Sequence, residues 1–243
     1  MIRLILVFLF LLCFFIISIP IQLILWIVGK FNENAKKHIS LAIVSKAFKV
    51  VAFLSGVKLT VIGEENVPKD TSVLYIGNHR SYFDIVISYS RVPRLTGYIA
   101  KKEILKVPIL STWMRYMDCL FLDRKDIRQG LEVILTAIDK VKNGISITIY
   151  PEGTRNGKDE MLPFHKGSFK IAQKTGCPIV PMTICNSNAI FEDHLPFFKK
   201  AHVILEYGNP IYPNELSAED KKNIDTYCYN IIKETYEKNK VQI

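Results

Sequence analysis

The sequence predicts an α/β fold: a single domain with a mixed sheet flanked by helices, preceded by a membrane-embedded N-terminal segment of two helices. Three observations carry this expectation. Short β-rich runs alternate with helical patterns from residue 57 onward, and nearly all of the first thirty residues are uncharged. The third is length: 243 residues hold one substantial α/β core plus a short appendage more readily than two full domains.

The N-terminal stretch LILVFLFLLCFFIISIPIQLILWIVG, Leu4 to Gly29, carries no charge. As a helix it is about 39 Å long, against a hydrocarbon core of about 30 Å. A secretory signal peptide is the rival reading. The run is longer than the usual apolar region of such a peptide, however, and no small-residue cleavage site follows it. Pro20, with Ser18 and Gln22 beside it, removes a backbone donor, so a kinked or re-entrant path stands open beside a straight span. Lys30, Lys36, Lys37, Lys46 and Lys49 follow against one acid, Glu33, which predicts that the rest of the chain lies on the cytosolic side.

Residues 35–55 predict a second helix, with Ile39, Ile43, Ala47, Val50 and Leu54 at helical spacing. Lys46 and Lys49 on its flank fit a helix lying in the headgroup region of an anionic bilayer. Gly56 closes it and sets the expected boundary between a membrane-associated segment, 1–56, and the domain, 57–243.

In the domain, VKLTVIG, SVLYIGN, TGYIA, CLFLD, ISITIY, PIVPMTI and HVILEYG are the candidate strands. Between them, DIRQGLEVILTAIDKVKNG places Ile127, Leu131, Ile134, Ile138 and Val141 on one helical face and stops at Asn143-Gly144. HKGSFKIAQKTG predicts a helix ending at Gly176. SAEDKKNIDTYCYNIIKETYEKNK predicts an amphipathic C-terminal helix with Ser217 and Asp220 as a capping pair.

A net charge of +9 asks for an anionic partner: nucleic acid, a membrane surface or a phosphorylated substrate. The apolar N-terminus favours the membrane, and no nucleic-acid module or aromatic-basic stripe is present, so no nucleic acid is expected. Five cysteines at wide spacings support neither a disulfide framework nor a zinc ribbon, and none is given a catalytic role. The five histidines are scattered without ligand spacing, so no metal is expected.

The candidate chemistry begins in GNHRSYFDIV, residues 77–86, where an apolar run breaks into polar residues and Asp84 follows His79 by five positions. With 5 His and 10 Asp in 243 residues, about 0.2 such pairs arise by chance, so the spacing alone is weak. Inside one helix, five residues turn through about 500° and the two side chains diverge. At a strand-to-helix turn they can meet, the carboxylate accepting Nδ1–H while Nε2 faces a cleft at the strand carboxyl ends. No serine lies in a Gly-x-Ser-x-Gly elbow, and Ser81 reads as a helix cap. The hydroxyl for His79 to deprotonate is therefore expected on the substrate.

A second cluster follows another strand, in ISITIYPEGTRNG. Pro151, Gly153 and Gly157 mark a tight loop containing Glu152, Thr154 and Arg155. An ordinary surface turn explains it blandly. An anion pocket explains it functionally, through a guanidinium fork and glycine-exposed backbone N–H groups. Arg124 and the Lys101-Lys102 pair also follow candidate strands; either alone is a solvated charge, but four strand ends together point to a ligand site.

The blocks NHRSYFD, LFLDR, YPEGTRN and IVPMTI occur in the order and approximate spacing of the four sequence blocks of the glycerolipid acyltransferases. Over about residues 57 to 210 the chain resembles the bacterial 1-acylglycerol-3-phosphate acyltransferases among them. The resemblance implies that His79 is the general base and Asp84 its orienting partner. It further implies that Glu152, Gly153, Thr154, Arg155 and Arg124 serve the substrate and that Pro181 is structural; Lys101, from its place at a strand end, is expected to help hold the acceptor phosphate. The implied reaction moves a fatty acyl group from acyl-CoA or acyl carrier protein to the sn-2 hydroxyl of lysophosphatidic acid, giving phosphatidic acid. The thioester is a substrate, and no cofactor is expected. Backbone N–H groups of residues 152–154 are expected at the oxyanion. Membrane lipid is the remaining partner, and the location implied is a membrane, the inner one in a bacterium.

Two rival readings accompany this one. The acceptor is glycerol 3-phosphate or another lysolipid, or the chain is a non-catalytic binder of anionic lipid. One departure is visible: Asp118 stands where the family's second block usually opens with glycine, which puts the local turn in question.

Overall fold

The structure, a computed structural model, describes residues 1–157 and 160–243. Each β-rich run forms a strand: β1 (Val57–Ile62), β2 (Leu74–Gly77), β3 (Thr96–Lys101), β4 (Leu120–Leu122), β5 (Ser146–Ile149), β6 (Ile179–Cys185) and β7 (Ala201–Tyr207). They make one sheet in the order β1-β7-β6-β2-β5-β3-β4, parallel throughout except where β7 runs antiparallel to β6. The sheet is mixed, as predicted. Central strands β2, β5 and β6 are buried along their whole length, which is why their sequences are continuous apolar runs and not alternations.

The helices are α1 (Ile2–Phe31), α2 (Glu33–Ser55), α3 (Phe83–Tyr89), α4 (Pro108–Tyr116), α5 (Ile127–Lys142), α6 (Lys170–Thr175), α7 (Ala218–Lys222) and α8 (Ile224–Lys240). Successive residues of β2 feed opposite faces. Tyr75 enters the core shared with α1 to α4, while Leu74 and Ile76 enter the core under α5, α6 and α8.

Helix α1 runs unbroken through Pro20. The polar residues that suggested a kink serve instead to dock the helix on α4. Trp113 Nε1–H donates to Ser18 Oγ at 2.9 Å, Gln22 Nε2–H to the Ile109 carbonyl at 2.8 Å, and Tyr116 O–H to the Gln22 carbonyl at 3.1 Å. Helix α4 was not predicted; it is nine residues long, starts with Pro108 at its first position, and is held by a fully buried Trp113. The apolar core crosses residue 56, since Val7, Leu25, Val44 and Val51 share it with Tyr75, Phe83 and Trp113.

Two predicted helix faces are corrected. In α2 the buried positions are Ser40, Val44, Val51 and Ser55, whereas Ile39 and Val50 of the expected stripe are exposed together with Phe53. Buried serines bring α2 close to its neighbours, while Leu41, Ile43, Phe48 and Leu54 are partly buried against the core. In α5, Val133, Ala137 and Val141 are buried, but Ile127 is 91% exposed and Leu131 is also exposed. The edge strand β4 has only three residues and leaves the first turns of α5 uncovered.

The turn at Asp118 forms without glycine. Asp118 takes a left-handed conformation, φ 59°, which a short polar residue tolerates. Space comes from its neighbour: a Cβ on Gly97 would lie 2.3 Å from the Asp118 carbonyl oxygen. The Asp118 carboxylate is then held between Lys37 of α2, at 2.8 Å, and Lys140 of α5, at 2.5 Å.

Candidate active site

Strand β2 ends at Gly77, and Asn78 continues its ladder with a side chain. The Asn78 Nδ2–H donates to the Ile184 carbonyl and its Oδ1 accepts the Ile184 N–H, both at 2.9 Å. This places His79 at the carboxyl end of the central strand, just before α3.

Asp84, in the first turn of α3, is fully buried and surrounded by donors. Its Oδ2 lies 2.8 Å from His79 Nδ1 and accepts the Arg80 and Ser81 backbone N–H groups at 2.7 and 2.8 Å. Its Oδ1 accepts from Ser187 Oγ at 2.5 Å. An acceptor-only carboxylate at Nδ1 makes that nitrogen the protonated one and leaves Nε2 able to take a proton. The imidazole is stacked on Tyr150, with ring centroids 4.3 Å apart and planes 18° apart. Tyr150 is in turn fixed by its hydroxyl, 3.1 Å from Ser88 Oγ.

The backbone of His79 is clamped as firmly as its ring. Its N–H donates to Glu152 Oε1 at 2.7 Å, and its carbonyl accepts the Asn156 N–H at 2.8 Å. Glu152 Oε2 accepts the Leu162 N–H at 2.9 Å. Both Glu152 oxygens, expected at the substrate, thus accept backbone amides, one of them that of His79. Burial pushes the Glu152 carboxyl above the usual carboxylate range, against the pull of its two amide donors.

Gly153 has φ 70°, and a Cβ there would lie 3.0 Å from His165 Nε2. Its N–H donates to the Tyr150 carbonyl at 3.0 Å, so this amide does not face an oxyanion as expected. Thr154 and Arg155 are exposed at the loop surface. The Arg155 guanidinium covers the Tyr82 ring at 3.5 Å and approaches Glu192 Oε1 at 3.7 Å. Glu192 Oε1 accepts the Tyr82 N–H at 2.8 Å, and Oε2 accepts the Ser81 hydroxyl at 2.7 Å.

Lys101 and Arg124 stand apart from this cluster. Lys101 ends β3 and Arg124 follows β4, two and three strands from β2, which is about 10 and 14 Å at the usual strand spacing. Because these strands are parallel, both residues lie at the same sheet end as His79. Both are exposed, and Lys101 is paired with Glu103 at 3.2 Å.

Sequence reasoning missed Ser187, Glu192, Tyr150 and Tyr82. Tyr150 had a signal, lying inside the polar-loop block. Ser187 and Glu192 had none, since they reach Asp84 and Ser81 from more than a hundred residues away. Three buried cysteines are held as thiols: burial pushes Cys119 up to about 11 and Cys185 and Cys228 up to about 12, so they stay protonated at neutral pH.

Two serine hydroxyls around the Asp84 turn are already bonded, Ser81 to Glu192 and Ser187 to Asp84. A partly exposed histidine held by a buried carboxylate, with Ser81 and Ser187 bonded elsewhere, fits an enzyme that activates a hydroxyl brought by its substrate. Residues 58–185 match the Acyltransferase family model, and the chain belongs to that family. It is 32% identical over 187 residues to the 1-acyl-sn-glycerol-3-phosphate acyltransferase of Borreliella burgdorferi, covering 77% of this chain and 75% of that one. The Haemophilus influenzae protein of the same name is 29% identical over 240 residues, covering 96% and 94%. Among solved structures, the 1-acyl-sn-glycerophosphate (LPA) acyltransferase PlsC of Thermotoga maritima superposes with a TM-score of 0.79 at 25% identity, covering 97% of this chain and 96% of that one.

Proposed function

We propose that the protein transfers a fatty acyl group from a thioester of coenzyme A or acyl carrier protein to the sn-2 hydroxyl of lysophosphatidic acid, giving phosphatidic acid. The relatives named above support the reaction, and one observation carries the mechanism: His79 Nδ1 lies 2.8 Å from a carboxylate already saturated with donors. His79 Nε2 takes the proton of the acceptor hydroxyl as its oxygen attacks the thioester carbonyl. The tetrahedral adduct then expels the thiolate by breaking the C–S bond, and the thiolate recovers the proton from the imidazolium. Asp84 holds the ring in the reactive tautomer and stabilises its charged form.

Arg155 is the clamp for the acceptor phosphate, with Lys101 and Arg124 extending the positive rim. Helices α1 and α2 are long and apolar enough to cross a membrane. We assign them the seat of the enzyme in the bilayer, with the sheet domain on the cytosolic side. An enzyme seated there does not extract its lysolipid, which would cost about 0.8 kcal/mol per methylene. The test is purified protein in vesicles with labelled lysophosphatidic acid and acyl-CoA. Phosphatidic acid is the expected product; turnover of glycerol 3-phosphate instead would overturn the acceptor assignment, and lipid binding without thioester consumption would overturn the reaction.

A further inference from the structure

We propose that the loop between β6 and β7, residues 191–200, is a second lipid-contact surface, with Leu195 and Phe197 entering the bilayer beside the N-terminal end of α1. The inference rests on the membrane seat assigned above to α1 and α2. Leu195 is 64% exposed and Phe197 42% exposed, although the loop that carries them is firmly built. The His194 N–H donates to the Phe191 carbonyl at 2.9 Å, the Phe197 N–H to the His194 carbonyl at 2.8 Å, and the Lys199 N–H to the Ile190 carbonyl at 3.0 Å. Phe191 and Phe198 turn inward, stacked at 4.7 Å, and Phe198 meets Phe83 of α3 at 5.8 Å. A closed loop that buries two phenylalanines and holds two other large apolar residues outward presents them to an apolar medium.

Its position says which medium. A Cβ on Gly56 would lie 3.0 Å from Lys200 Cγ and 2.6 Å from Arg3 Nη1, so the end of the loop meets the start of α1 and the end of α2. Ile2 and Phe53, both exposed, lie at that junction. The Lys200 end of the loop thus abuts the two helices where α1 begins and α2 ends. Lys199, Lys200 and Arg3 supply cations at the level of lipid phosphates. Of the acids of the loop, Glu192 is turned to Ser81 and Tyr82, and Asp193, which is exposed, is paired with Asn188 Nδ2 at 2.7 Å. An apolar pair backed by cations fits an anionic bilayer. Through Glu192, the same loop ties this lipid contact to the turn that carries His79.

The two tryptophans make the test direct. Trp26 lies on the outer face of α1 and is 53% exposed, whereas Trp113 is 1% exposed. Full-length protein is reconstituted into phosphatidylglycerol–phosphatidylcholine vesicles with plain or brominated acyl chains, and emission is compared among three forms. Wild type against Trp26→Phe reports α1, and Leu195→Trp added to Trp26→Phe reports the loop, with Phe197→Trp as a second probe. The emission added at position 195 or 197 is expected to be blue-shifted and mostly lost in brominated vesicles. Quenching of Trp26 with unquenched, water-like emission from both loop probes overturns the loop assignment and leaves the membrane seat standing. Loss of neither signal overturns the seat and this inference together.

Discussion

The ends of β2 and β5 differ from the ends of β3 and β4 in how their functional residues are held. At β2 and β5, His79, Asp84 and Glu152 are locked by backbone amides, a tyrosine stack and Ser187, and little of them meets water. At β3 and β4, Lys101 and Arg124 are long, exposed side chains. Arg155 stands between the two conditions, half-exposed but laid on Tyr82 beside Glu192. Under the proposed mechanism this is a division of labour. Proton transfer needs an imidazole held to a fraction of an ångström, whereas a charged headgroup can be met by side chains that adjust.

That division predicts graded effects. The largest belongs to His79→Ala, which lowers kcat by about 10² to 10⁴ with little change in the acceptor KM; steady-state rates of phosphatidic acid formation on folded protein measure it. A large KM rise with unchanged kcat would move His79 to the binding rim. Next is Glu152→Gln, whose amide group must face one of two N–H donors. The misfit costs about 1 to 3 kcal/mol. It is expected in thermal unfolding and again as a lowered kcat, and unaltered values in both assays would break the view that Glu152 serves the His79 backbone.

Arg155→Ala is expected to raise the lysophosphatidic acid KM by roughly 10 to 100-fold, the worth of a lost charge-assisted bond. A change confined to the acyl-donor KM would reverse the orientation of the two substrates. Smallest are Lys101→Ala and Arg124→Ala, which shift the acceptor KM several-fold at most, more at low ionic strength than at high. If either matched His79→Ala in kcat, the rim would belong to the chemistry.

Much of this was legible in the sequence. All seven strands announced themselves as β-rich runs, and the His79–Asp84 contact followed from asking where residues five apart can meet. Helix faces were less legible, because apolar residues on α2 and α5 occupy more than one face. Only the three-residue β4 and the closeness of α1 decide which is covered. The contacts of Glu152 were hidden for a related reason: a glutamate beside glycine in a polar loop gives no sign that its two oxygens accept the Leu162 and His79 amides. Ser187 and Glu192 could not be read at all, since their partners become neighbours only when β6 lies against β2.

The proposed mechanism requires that the hydroxyl come from the substrate, with acyl transfer in one displacement and no acyl-enzyme. Full-length protein in vesicles, mixed with labelled acyl-CoA before any acceptor is added, tests this most directly. The expected result is no burst of free coenzyme A and no label on the protein until lysophosphatidic acid is supplied, whereupon both substrates are consumed together. Release of one equivalent of coenzyme A with label on the chain, in the absence of acceptor, would contradict it.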